Sequence, residues 1–256
     1  MTNPSRVREE FTRQAETLSV AAAFTDAGVL ERIRTAVAPT QSMRILDVGC
    51  GPGILAAALA PHAGEVVAYD LTPEMLEKAR RRCQEAGLQN VRFELGKAEN
   101  LPFAAENFDV VVTRLTLHHF PDPQVVVGEM ARVTGPRGKV VVADVVSSEN
   151  AQDAELHNAL EILRDPSHVR MLPPSEILRL LGGHGLRVAE TSAWEMPREF
   201  DEWIRITNAP ERRDPLLTVM RALAQAGIRA GIDLEVSGNT VTFKHHWLLV
   251  TAVKNE

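Results

Sequence analysis

Residues 45–53 read Ile45-Leu46-Asp47-Val48-Gly49-Cys50-Gly51-Pro52-Gly53. An apolar run from Met43 to Val48 closes on glycines at 49, 51 and 53, and an Ala/Leu-rich stretch follows from Ile54 to Ala63. This is a strand, a tight turn and a helix. Glycines in such a turn let the backbone come close to a ligand, and the next helix points free N–H groups at it. The spacing narrows the choice of ligand. A dinucleotide fingerprint wants a third glycine at position 54, where this chain has Ile54, and Asp47 precedes the first glycine instead. A phosphate-binding loop wants Lys and Ser or Thr after its glycines, and this turn has neither. A second acidic residue, Asp70, ends the next apolar run, about 20 residues on. A carboxylate there is placed to accept two hydroxyl hydrogens of a ribose.

The alternation continues outward from this turn. Glu65 to Leu71 reads as a strand. Thr72-Pro73-Glu74 predicts a helix start, with Thr72 as N-cap and Pro73 at the first helical position, running to Ala86 and stopped by Gly87. Val91 to Leu95, Phe108 to Leu115 and Lys139 to Val146 read as strands, and Pro123 to Val133 as a helix. Strands apolar on both faces, separated by helices, form a parallel sheet covered on both sides. The expected fold class is α/β, a doubly wound Rossmann-like sheet. It is expected to be mostly parallel, with Thr240 to Val253 as an antiparallel C-terminal strand and helices on both faces. Residues 5–38 read as amphipathic helices. Further on, Ala151 to Leu163 and Pro173 to Leu181 read as helices, Arg187 to Trp194 as a weakly alternating strand, and 197–230 as helical with breaks near Pro210 and Pro215.

The 256 residues carry 28 Lys and Arg against 34 Asp and Glu, a net charge of −6. That balance argues against a nonspecific nucleic-acid binder, which needs basic excess. Two cysteines exclude a disulfide framework and point to a reducing compartment. No apolar run approaches the ~18 residues of a membrane span, and the N-terminus shows no apolar signal region. A cytoplasmic location is expected. No Cys/His group has zinc spacing, and His245-His246 lie adjacent in a strand and so face opposite ways. No metal is expected.

Five stretches taken in order carry a family resemblance: ILDVGCGPG (45–53), VVAYDLTPEML (66–76), GKAENLPFAAENFDVVV (96–112), LTLHHFPDP (115–123) and RVTGPRGKVVVAD (132–144). Together they resemble a class I S-adenosylmethionine-dependent methyltransferase, closest to the ubiquinone/menaquinone-biosynthesis type that acts on small molecules. The resemblance spans roughly 43–145. It implies S-adenosylmethionine as cofactor and S-adenosylhomocysteine as product. It also implies the cofactor-binding residues. Asp47, Gly49 and Gly51 would line the methionine side, with Gly53 supporting the turn. Asp70 would hold the ribose, and Leu71 and Met75 would pack on the adenine. Ala98 and Glu99 would meet the adenine edge, and Arg114 would offer backbone groups to the methionine ammonium, with a surface or lid salt bridge as the alternative role of its side chain. Lys97 departs from the family, which often has Asp there to take the adenine amino group; Lys cannot accept a hydrogen bond.

His118 and His119 fall just beyond the fourth strand. Either is a general-base candidate for an acceptor O–H or N–H, since an imidazole titrates near neutral pH. Packing and loop closure is the alternative role, and the sequence does not choose between the two histidines. In related methyltransferases, the segment after the fifth strand builds the acceptor pocket. His168 and Arg170 are therefore substrate candidates, against an Asp165–Arg170 loop network. Phe11 and Gln14 are substrate candidates on the N-terminal helices. One domain is expected over 1–256: a helical cover (1–42), a cofactor-binding core (43–146), a helical acceptor-pocket elaboration (147–239) and a last strand (240–256). The leading function is methyl transfer to a small-molecule acceptor. O- or C-methylation of an aromatic or quinone-like metabolite is favoured, with N-methylation behind it. The alternatives are a cofactor-binding protein without methyl transfer and a sulfonium-assisted rearrangement or cyclisation enzyme. Ile54 and Asp47 argue against a nicotinamide enzyme.

Overall fold

Ile45, Leu46 and Val48 are completely buried because strand β1 (Arg44–Val48) runs through the middle of a sheet covered on both faces. Alternate residues supply opposite cores. Leu46 and Val48 join Val111, Met130 and Val142 on one side, while Ile45 joins Ile33, Ala56, Val112 and Val141 on the other. This two-sided burial is what an apolar parallel strand requires. The computed structural model describes residues 3–255.

Helices α1 (Asn3–Val20), α2 (Ala22–Thr25) and α3 (Ala27–Val37) precede β1. After β1 come α4 (Ile54–Leu59), β2 (Glu65–Asp70), α5 (Pro73–Glu85), β3 (Val91–Leu95) and β4 (Phe108–Arg114). Then follow α6 (Pro123–Val133), β5 (Thr134–Val146), α7 (Ala151–Arg164), α8 (Pro174–Gly183) and β6 (Leu186–Glu199). The chain ends with α9 (Phe200–Arg205), α10 (Arg213–Gln225), β7 (Glu235–Ser237) and β8 (Thr240–Lys254). The strand order is β3-β2-β1-β4-β5-β8-β6, with β7 also on β8. Strands β1 to β5 pair in parallel, and β8 is antiparallel to β5 and β6. The order reverses between β1 and β4, so the ligand crevice of an open α/β sheet lies at their carboxyl ends. No helix among the described residues is long and apolar enough to cross a membrane.

Two differences from the sequence reading have physical causes. The strand expected over Arg187 to Trp194 is longer, with β6 running on to Glu199, so that residues 197–199, expected to be helical, are strand; β7 is a further strand in 147–239. Strand β6 is an edge strand, so it tolerates Pro197, which donates no ladder hydrogen bond. Thr72 does occupy the N-cap of α5, but its side chain caps nothing. Its N–H instead donates to Asp70 Oδ1 at 2.8 Å.

Candidate active site

Two glycines permit the crevice. Gly49 has φ +69°, and a Cβ there would lie 2.5 Å from Thr116 Cγ2, so the β1 and β4 turns meet only because residue 49 has no side chain. Gly51 has φ +52° and faces open space. It donates its N–H to Asp70 Oδ2 at 2.8 Å, which ties the first turn to the end of β2.

Around these glycines lies a cavity of about 930 Å³, open solvent included. It gathers Asp47, Gly49 and Gly51 from the first turn and Asp70, Leu71 and Met75 from the second. Ala98 and Glu99 enter from the loop after β3, and Arg114 from the end of β4. Gly53 is outside the lining; it is the N-cap of α4, and its Cα side faces Ala79 of α5. Lys97 also lines the cavity, and its carbonyl accepts the Tyr69 hydroxyl at 3.1 Å.

The electrostatics are unbalanced. Asp47 is completely buried and its Oδ2 has no partner among the described residues. Burial pushes its carboxyl up to about 7; Arg114 opposes this and Asp70 adds to it. Burial likewise raises Asp70, against the N–H groups of Thr72 and Gly51. Arg114 is pushed down to about 10 by burial, with Asp47 resisting. Its Nη1 donates to the Phe24 carbonyl at 2.9 Å, so it also anchors the helical cover. That cover is fastened elsewhere too. Arg82 donates to Pro52 O and to Ser19 O, and Arg212 grips Glu10 through two hydrogen bonds.

A second chamber, about 640 Å³ with open solvent included, adjoins the first. Phe11, Leu18, Phe24, Leu115 and His119 line both, so these residues form the shared wall. Leu115 takes a left-handed backbone, φ +55°, and swings the following turn over the carboxyl end of the sheet. His118 in that turn bonds through Nδ1 to Asp144 Oδ1 at 2.7 Å. Asp144 Oδ2 in turn accepts the N–H groups of Thr116 and Leu117. The carboxylate fixes the His118 tautomer with its proton on Nδ1, which leaves Nε2 as the basic nitrogen for the chamber. Burial opposes the imidazolium, but the charge and hydrogen bond of Asp144 outweigh it, and the His118 pKa is raised. His119 differs. Its Nδ1 faces the Ser167 carbonyl at 3.1 Å, and burial, with the neighbouring His118, lowers it to about 4.

The other substrate candidates separate. Phe11 packs edge-on to His119 with ring centres 4.8 Å apart. Gln14 lines the chamber, but its amide donates to Asp165 Oδ2 at 2.8 Å. His168 lines it as well, with Nε2 bonded to Asn158 Oδ1, and burial lowers it to about 2. Arg170 lines neither cavity; it forms a two-pronged pair with Glu176 on the surface. The expected Asp165–Arg170 network is therefore replaced by Asp165 with Gln14 and Ser167, and Arg170 with Glu176.

Sequence reasoning missed Asp144, Glu161, Arg164 and Arg198, all at or behind the chamber, whereas Trp247 reads from sequence as core or a pocket wall and lines the chamber. Asp144 had a signal: it is the one acidic residue in an apolar strand, near the carboxyl end where ligands bind. Among the described residues, His157, Glu161 and His245 are close enough to hold a cation, with donor atoms within 4.8 Å of one another. Their chemistry opposes one. Arg198 donates to His245 Nδ1 at 3.0 Å, so the proton sits on Nε2, which donates to Glu161 Oε1 at 3.0 Å. The nitrogen that would ligate is protonated, and Arg164 pairs with the same carboxylate.

The methyltransferase-domain family profile matches residues 39–201. The chain is 35% identical over 213 residues to YcgJ of Bacillus subtilis, named as an uncharacterized methyltransferase, covering 82% of this chain and 84% of the relative. The crystal structure of YcgJ superposes with a TM-score of 0.84 at 32% identity, covering 90% of this chain and 99% of that one. A ubiquinone biosynthesis O-methyltransferase of Thiobacillus denitrificans is 35% identical over 161 residues, covering 60% of this chain and 68% of the relative.

Proposed function

Given that the chain belongs to the methyltransferase-domain family and is an S-adenosylmethionine-dependent methyltransferase, we propose that it methylates a small molecule held in the His118 chamber. The favoured nucleophile is an oxygen or carbon of an aromatic or quinone-like metabolite. The observation that carries the reading is the shared wall: the chamber with the only Asp-paired imidazole among the described residues opens beside the cofactor cavity.

The first cavity fits the cofactor on this chain's own chemistry. Asp47 offers an unpaired buried carboxylate oxygen to an ammonium, and Arg114 a guanidinium to a carboxylate. Asp70 spends one lone pair of each oxygen on Gly51 and Thr72 and keeps the others for ribose hydroxyls. Leu71, Met75 and Ala98 offer apolar surface to the adenine, beside Glu99 and the backbone around Lys97. Bound there, S-adenosylmethionine supplies an electrophilic methyl group and leaves as S-adenosylhomocysteine.

The chain's residues then do three things. Phe11, Leu18 and Phe24 cover the junction and exclude water. The chamber walls hold the acceptor toward the junction, and positioning contributes much of the rate of a bimolecular transfer. His118 Nε2 accepts the acceptor's O–H or N–H proton, and Asp144 stabilises the imidazolium that results. In the same reading, 1–42 is the cover, 43–146 the cofactor-binding core, and 147–239 with the last strand completes the chamber.

The test is incubation with methyl-labelled S-adenosylmethionine and a panel of phenols, quinols and small amines. Label in a small-molecule product, with one S-adenosylhomocysteine released per methyl, supports the reading. Label found only in added protein or nucleic acid contradicts it. Asp70→Ala is expected to weaken S-adenosylmethionine by roughly 100-fold, the worth of two charge-assisted hydroxyl hydrogen bonds. Calorimetric titration of a variant shown to be folded checks this, and unchanged affinity would remove Asp70 from the ribose site.

A further inference from the structure

The hydrogen-bonding capacity left over in the acceptor chamber describes the molecule it takes, and the description rests on the methyl-transfer reading above. The charges lining the chamber cancel. Arg164 and Arg198 stand against Glu161 and Asp165. Each carboxylate oxygen already has a partner. Glu161 accepts from His245 at Oε1 and from Arg164 at Oε2. Asp165 accepts from Ser167 at Oδ1 and from Gln14 at Oδ2. Arg198 donates two hydrogen bonds to Glu202 and one to His245. Burial holds the imidazoles of His168 and His245 neutral, at about 2 and 3. An anionic acceptor would give up its hydration and find no cation free of a carboxylate or histidine partner, which a buried charge requires.

Among the groups that remain are a base and a buried donor. The base is His118 Nε2, near the junction with the cofactor cavity. The donor is the indole N–H of Trp247 on β8, buried and without a partner among the described residues; Trp247 is a residue of the chamber wall and also borders the neighbouring cleft of Trp194 and His246. Trp247 lines the chamber but not the cofactor cavity, whereas the turn that carries His118 and His119 borders both. An indole N–H can only donate. It is fixed in place, stacked on Trp194 with ring centres 5.4 Å apart. A buried donor of this kind is satisfied by an oxygen that brings no charge.

We propose that the acceptor is an uncharged hydroxy-carbonyl compound, its nucleophilic O–H delivered to His118 and its carbonyl oxygen received by the Trp247 indole N–H. Hydroxyketones and hydroxyquinones have this form; hydroxy acids, ionised at neutral pH, do not. Trp247 is thereby a specificity-determining residue of the site.

The experiment is calorimetric titration of S-adenosylhomocysteine-saturated protein with three phenols that differ only at the para position. 4-Hydroxyacetophenone has the carbonyl, 4-hydroxybenzoate a carboxylate and 4-ethylphenol neither. The ketone is expected to bind at least about tenfold more tightly than the other two, the size of effect one satisfied buried donor produces. Trp247→Phe should remove that advantage while leaving 4-ethylphenol and S-adenosylhomocysteine binding unchanged. Trp194→Phe, which alters the stacked partner outside the chamber, should keep it. Equal or tighter binding of the carboxylate, an unchanged ketone preference in Trp247→Phe, or no binding of any of the three overturns the inference. Failure of S-adenosylhomocysteine to bind in the first place would instead overturn the methyl-transfer reading, so the two failures are distinct.

Discussion

Asp47→Asn is expected to make the ligand-free protein more stable and to cost it most of its affinity for S-adenosylmethionine. Asp47 is completely buried at the end of β1, and its carboxyl is pushed from 3.8 to about 7, first by burial, with Arg114 opposing and Asp70 adding. The folded state therefore binds this proton more tightly than the unfolded chain does. Folding is favoured most below the ordinary carboxylate range and is weakened as the pH rises from about 4 to 7. At neutral pH the burden is on the order of 4 kcal/mol. An amide carries no charge to bury, so the melting temperature should rise by roughly 5 °C, a conservative share of that burden in a chain of this size. The same change removes the partner of the cofactor's ammonium, and affinity should fall by about 100-fold or more. In the wild type, affinity should drop as the pH falls below about 7, approaching tenfold per unit while one proton is linked to binding; in Asp47→Asn that dependence should disappear. Thermal denaturation and titration at pH 6, 7 and 8 measure both effects. A variant that binds the cofactor as the wild type does would separate Asp47 from the site.

His118→Ala is expected to lower kcat by 10²–10⁴, the usual worth of a positioned base, with little change in cofactor affinity. The wild-type rate should fall on the acid side as His118 is protonated, and because its pKa is raised that limb should lie above the ordinary histidine value. Asp144→Asn removes the negative charge that raises the pKa, so the limb should move to lower pH while kcat falls. His119→Ala leaves the Asp-paired imidazole in place and should reduce the rate only through lost packing against Phe11. The pH dependence of kcat for these variants, with whichever acceptor turns over, separates the roles. Full activity in His118→Ala across the range would leave methyl transfer to positioning alone.

Where local chemistry dictates structure, the sequence was readable. Gly49, Gly51, Asp47 and Asp70, singled out in the sequence, line one cavity, and the glycines stood out because a tight turn with close approach admits few residue types. Strands β1, β2, β4 and β5 were readable because two-sided burial leaves an apolar run, and β3, a partly exposed edge strand, by its alternation of Val91, Phe93 and Leu95 with Arg92 and Glu94. The second chamber was much less so, since it is assembled from far-apart pieces. Asp144 meets His118 across the carboxyl ends of β5 and β4. Glu161 on α7 meets His245 on β8, 84 positions later. Strand β6 alternates weakly because an edge strand buries one face, and no local signal pairs Arg198 with His245. Arg170 was a reasonable candidate by position, and only its pairing with Glu176 removes it from the chamber. The adjacency of His245 and His246 correctly implies opposite faces. It did not reveal that the inward member joins a buried polar network.

The measurement that bears most directly on the account is a crystal structure with S-adenosylhomocysteine. The ribose hydroxyls are expected on Asp70, the ammonium on Asp47, and the sulfur turned toward the wall of Phe11, Leu18, Leu115 and His119, with the His118 chamber open on its far side. Ligand density within the His118 chamber, or a sulfur turned away from that wall, would contradict it.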